Sequence, residues 1–241
     1  MKLLSGPFDQ YERRARLAPA LVVVLPLALA TVAWFPMQFT GWAVFWAIVV
    51  GCGGTALLAQ LGRDRGLQKQ KQLFDSWGGS PTVRLLRHRE RGNKPTLLRW
   101  HRRLQGLLPD VNVPSAADEL ANPTQADEVY EACVSLLKEK TRDRMKFSLV
   151  FEENCNYGFR RNLWGMKSLG ITAAITGVAA IAVLLLLNTQ FRQARTPPVA
   201  YVAGGFDALL LIMWTALVDP TWVKTAADAY AMRLLSSCDH L

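Results

Sequence analysis

Apolar residues gather into four long runs, Leu17 to Phe35, Trp42 to Leu61, Leu169 to Leu187 and Tyr201 to Val218, set as two pairs around the polar stretch Gly62 to Lys167. Each run is close to the roughly 20 apolar residues that carry a helix across a bilayer. The pattern predicts an all-α membrane protein with four transmembrane helices, two pairs flanking a helical cytoplasmic module. The divisions are an N-terminal segment 1–16, a first helix pair 17–61, a basic helical domain 62–167, a second helix pair 168–219 and a tail 220–241. The first run is longer than a typical signal-peptide core and ends at Trp34-Phe35-Pro36, so it is expected to stay in the membrane.

Small residues recur inside two of the runs: Ala47, Gly51 and Thr55 in the second, and Gly170, Ala173, Ala174, Gly177 and Ala180 in the third. Lipid supplies little hydrophobic drive between helices, so such residues mark close helix packing. That packing serves either one bundle or a contact between subunits, and a homo-oligomer is expected. Pro26 predicts a kink in the first span. Asp207 is the one ionisable residue well inside a run, and by helical spacing it shares a face with Ala203, Gly204, Leu211 and Trp214. Against lipid a carboxylate is costly. Asp207 is therefore expected either to line a cation-attracting pore or to sit nearer the interface, paired with Arg192 or Arg195.

Within the polar stretch, the second span is expected to continue as a helix through Gln60 to Asp75, with Gly62 and Gly66 as weak points. Trp77-Gly78-Gly79-Ser80-Pro81-Thr82 reads as a turn. Thr96 is placed to cap a helix through Leu108, and Pro109 to Pro123 reads as a loop. A further helix follows Thr124, with Asp127 at capping-box spacing and a stripe of Val129, Cys133, Leu136 and Leu137. Phe147 to Gly165 then leads into the third span. Arg160 and Arg161, at its membrane end, are read as coupling residues or as markers of the cytoplasmic edge.

Charge adds direction to this layout. The formal net charge is +9. Lys2, Arg13, Arg14 and Arg16 precede the first span, the Pro36 to Gly41 connection carries no charge, and Gly62 to Lys167 holds 20 Lys and Arg against 13 Asp and Glu. Positive charge marks the cytoplasmic side, so both termini and the middle domain are expected there. The excess is concentrated in Arg84, Arg87, Arg89, Arg91, Lys94, Arg99, Arg102 and Arg103, opposed within that stretch by Glu90 alone. Trp100 lies among them. Arginines interleaved with an aromatic ring suit phosphate tracking and base stacking on a single-stranded nucleic acid. A basic surface that reads anionic lipid headgroups is the other possibility.

Cys52, Cys133, Cys155 and Cys238 form no C-x-x-C pair, so neither a disulfide nor a metal site is expected. The chain lacks G-x-x-x-x-G-K, H-E-x-x-H and G-x-S-x-G motifs, and no catalytic role or cofactor is assigned. Glu153-Asn154-Cys155-Asn156-Tyr157-Gly158-Phe159-Arg160-Arg161-Asn162-Leu163, together with Trp77 to Thr82 and the paired spans, resembles a family of small bacterial phage-defence membrane effectors, the Hailong-type channel effectors. The resemblance implies a tetrameric inner-membrane channel gated by an oligonucleotide, such as single-stranded DNA, made by a partner nucleotidyltransferase. In that family the bound oligomer is thought to keep the channel shut until infection removes it. The competing reading is a non-conducting membrane anchor whose basic domain recruits nucleic acid, anionic lipid or a protein.

Overall fold

A computed structural model describes residues 9–35, 41, 53–192 and 197–241, and no strand occurs among them. In chain order the helices are α1 (Ala18–Trp34), α2 (Gly54–Trp77), α3 (Pro81–Leu86), α4 (Lys94–Leu107), α5 (Ala116–Ala121), α6 (Pro123–Lys140), α7 (Ser148–Gly165), α8 (Lys167–Leu186), α9 (Pro198–Ile212) and α10 (Pro220–Ser236). The chain divides into two compact units. One comprises Met1–Lys69 with Gly158–Val223, the other Gln70–Tyr157 with Lys224–Leu241.

Among the described residues of the first unit three helical stretches are long and apolar enough to cross a membrane: Gln10–Trp34, Lys167–Gln190 and Pro198–Leu217. A helix suits such runs because each backbone amide finds its partner within the segment, where lipid offers none. Residues 42–52 of the expected second span lie outside the described residues, and α2 begins just beyond them. Helices α1, α8 and α9 pack against one another in all three pairings. Their contact faces carry small residues, among them Ala20, Ala30, Ala33, Gly170, Ala173, Gly177, Ala200 and Ala203, while Leu25, Ile175, Val183, Phe206 and Leu209 stay exposed. Small side chains inside and large apolar ones outside are the arrangement a lipid-facing bundle requires. Helix α1 runs on through Pro26, which is buried. Trp34 donates its Nε1 hydrogen to the Ala180 carbonyl at 2.9 Å, tying α1 to α8.

Gly62 and Gly66 are points of close approach rather than weak points. A Cβ on Gly66 would stand 2.5 Å from Asn162 Oδ1 and 3.2 Å from its Cα; one on Gly165 would stand 2.6 Å from the Gly66 nitrogen. The backbones of α2 and the end of α7 thus meet with no side chain between them. Asn162, fully buried, donates to the Ala15 carbonyl at 2.7 Å and so holds the first helical stretch to the same place.

The second unit has its own core, built around Leu86, Trp100, Leu104, Tyr130, Cys133, Leu137, Leu234 and Leu235. The turn after α2 forms as expected: Gly78 and Gly79 take φ of 78° and 123°, the left-handed region that glycine enters at little cost. Ser80 then caps α3 by accepting from the Val83 amide. The other caps fall differently from the sequence expectation. Asn93, not Thr96, caps α4, and Asn122 caps α6. Pro123 follows Asn122 directly and Pro95 stands two places after Asn93, and the preset φ of proline favours the first helical turn. The expected loop between Pro109 and Pro123 contains α5, closed by a capping box between Ser115 and Asp118.

Candidate functional site

The second unit carries a solvent-open cavity of about 1040 Å³. Its walls come from α3 and the chain after it, the first turns of α4, the 113–116 segment and the face of α10 bearing Lys224 and Asp228. This is at the upper end of the roughly 300–1,000 Å³ typical of small-molecule sites.

The basic block does not form one surface. Arg84, Arg87, Arg91 and Lys94 line the cavity. Arg84 is forked onto Glu90 at 3.1 and 3.3 Å. Arg87 makes a bidentate pair with Asp127, both bonds 2.8 Å, and donates to the Gly78 carbonyl at 2.6 Å, which leaves it largely buried. Across the same cavity Lys224 pairs with Asp228 at 2.7 Å. Arg91 and Lys94 are exposed and have no acidic partner among the described residues. They are the cations a ligand would meet unneutralised.

Arg89 faces elsewhere, onto Glu119 and Asp127. Arg99 and Arg103 reach Asp239 at 3.3 and 3.7 Å and, with Arg102, line a second, smaller depression beside Gly106, Cys238 and Leu241. Arg102 has no acidic partner among the described residues. Asp127 therefore neutralises Arg87 and Arg89 instead of closing a capping box, and much of the local excess is cancelled by acids from distant parts of the chain.

Trp100 requires a correction. Its ring is 3% exposed, packed in the core on the same face of α4 as Leu97, His101 and Leu104. On a 3.6-residue helix Arg99 and Arg102 are turned about 100° and 160° away from it, and Arg99, Arg102 and Arg103 are all exposed where the ring is not. An exposed stacking platform is not what this residue provides. Its Nε1 is nevertheless buried without a hydrogen-bond partner, and the residue contributes to the cavity wall.

Behind the wall lies a polar cluster that sequence reading missed. Glu119, 2% exposed, accepts from the amides of His88 and Arg89 at 2.8 and 3.0 Å, from Arg89 Nη1 at 3.1 Å and from the Tyr130 hydroxyl at 2.8 Å. Burial alone would raise its pKa, but these donors outweigh it and hold the carboxyl below its usual range. The donors stabilise the charged form, so a buried carboxylate is tolerated here. Its role is to fix the 87–90 segment that carries the cavity's arginines. His101 is bonded to the Leu86 carbonyl at 2.8 Å and its ring meets His88 edge-on, with centroids 4.7 Å apart. Burial lowers the His101 pKa, against the raising effect of that hydrogen bond. No short spacing along the chain points to this cluster, since Glu119 and Tyr130 arrive from other helices.

In the first unit, Arg160 lies 4.8 Å from the Trp222 ring centroid and donates to the Trp222 carbonyl at 2.9 Å. Arg161 bonds Asn162 Oδ1. Asp207 is 0% exposed, on the face of α9 turned toward α1 and α8, and both carboxyl oxygens lack a hydrogen-bond partner. Within the chain Asp207 thus faces inward among these helices, while Arg195 and the side chain of Arg192, its expected partners, lie outside the described residues. Compared with known proteins, the chain matches no family, no curated protein and no solved structure.

Proposed function

We propose that this chain is an oligomeric ion-channel effector of the bacterial inner membrane, both termini cytoplasmic, whose second unit binds an oligonucleotide or nucleotide in its large cavity. The observation that carries the reading is the pair of cations without acidic partners, Arg91 and Lys94, on a cavity of about 1040 Å³. Phosphates would be taken by these two groups, with Arg84 and Arg87 behind them already oriented by carboxylates. The resemblance to phage-defence channel effectors leads to the same assignment, with depolarisation of the membrane as the outcome and a nucleotidyltransferase as the source of the ligand. Arg160 and Arg161, on α7, are the relay in this reading.

Two measurements test it. Each phosphate contact on a single strand contributes about −0.7 to the slope of log affinity against log salt. Replacing Arg91 and Lys94 together by alanine should flatten the slope by about twice that amount, with the fold unchanged because neither makes an ion pair. Saturable oligonucleotide binding that survives the double substitution with its slope intact would remove the cavity from the reading. Proteoliposomes carrying the full chain should pass ions in a ligand-dependent manner. A chain that binds oligonucleotide yet never conducts, with ligand or without, is the membrane anchor instead.

A further inference from the structure

Asp207 stands nine residues into α9, about 13 Å from the start of that helix, and Gly177 ten residues into α8, about 15 Å from its start. In a hydrocarbon layer roughly 30 Å thick both lie near the middle. A Cβ on Gly177 would be 2.5 Å from Asp207 Oδ2, and 3.1 Å both from its Cγ and from Pro26 Cβ. The carboxyl is thus enclosed by the bare backbone of α8, the proline of α1 and its own helix. Beyond Lys167, whose amine is held by the Val218 and Thr215 carbonyls, the helices α1, α8 and α9 carry no other charged side chain, and Tyr201 is their only other titratable group.

A carboxylate with neither cation nor donor at that depth would be prohibitively unstable, and such groups are neutralised instead. A dehydrated metal ion is a poor candidate, because it needs several oxygen ligands and this enclosure offers a single carboxyl among carbon atoms. A proton needs only one acceptor. Asp207 is itself that acceptor, and with Gly177 and Pro26 packed about it a larger ion has no room.

We propose that Asp207, the gap at Gly177 and the Pro26 turn form a proton-binding site at mid-membrane, neutral while the three helices are closed around it and able to release its proton only when water enters. The site does not depend on the ligand reading above. It gives the membrane unit a chemical state that opening of the core would change.

Infrared spectroscopy of the full chain in detergent tests this directly. At about pH 7 an exposed carboxylate, which titrates near 4, has no acid C=O band. The expected result is such a band in the unmodified chain and its loss in Asp207→Asn, which should keep the oligomeric state because asparagine imitates the neutral acid. Dicyclohexylcarbodiimide, an apolar reagent whose N=C bond adds a protonated carboxyl, should label Asp207 and leave the asparagine variant unlabelled there. Absence of the band from the unmodified chain at pH 7 overturns the proposal without reference to any variant. Loss of the band when sodium or potassium replaces a bulky organic cation at constant pH overturns it too, because a metal ion would then be the occupant.

Discussion

Asp127 and Glu119 decide how much of the basic block is available to a partner, because each takes the charge of arginines that lie far away in sequence. Asp239 does the same for Arg99 and Arg103, but on exposed side chains, where an ion pair contributes only about 0–1 kcal/mol. Asp239→Asn should therefore leave the melting temperature nearly unchanged while increasing salt-sensitive binding of a nonspecific polyanion. No gain in binding would show that these arginines are not usable by a ligand. Gly66 behaves oppositely. A Cβ there meets the Asn162 backbone, which cannot yield as a flexible side chain would, so Gly66→Ala should cost about 1–3 kcal/mol, read as a lower melting temperature in detergent.

At the scale of the element, α4 shows how one helix serves two ends. Leu97, Trp100, His101 and Leu104 are buried while Leu98, Arg99, Arg102 and Arg103 are exposed. Trp100→Ala removes a large ring from the core and should cost about 3–5 kcal/mol. Oligonucleotide binding lost in that variant would follow from unfolding, so near-ultraviolet circular dichroism must accompany the binding assay. A variant that keeps its fold and melting temperature while losing affinity would instead restore the stacking role. The apolar stripe of α6 was legible only in part: Cys133 and Leu137 are buried as expected, but Ala126, Tyr130 and Val134 complete the stripe, and Leu136 and Val129 lie at its edge.

For the whole molecule, the buried His101 and the buried Glu119 give the second unit the same sign of pH dependence. Each has a folded pKa below its unfolded value. The unfolded chain thus binds more protons, and stability falls as the solution is acidified. The His101 contribution is present above about pH 6.5 and is lost as pH falls from there through the lower folded value. The Glu119 contribution is present above about pH 4.3 and goes in the same manner. Thermal unfolding followed from about pH 8 downward should show two successive declines, the first absent in His101→Gln. A melting temperature flat between about pH 7 and 5 would contradict this account.

The run lengths of apolar residues, the glycine turn before α3 and the amphipathic period of α4 were readable from the chain alone, because each depends on residues a few positions apart. The same holds for Asp207 as an isolated charge within a span, since composition makes it conspicuous. Its enclosure against Gly177 and Pro26 was decided by three helices meeting, which no local pattern encodes. The neutralisation of Arg87, Arg89, Arg99 and Arg103 belongs to the same class: charge counted along a segment omits carboxylates that arrive from α5, α6 and the C-terminal turn. Sequence determines what each segment must bury and what it must expose. Which buried group meets which partner is set only when the segments pack, since that pairing depends on distances across the fold rather than on spacing along the chain.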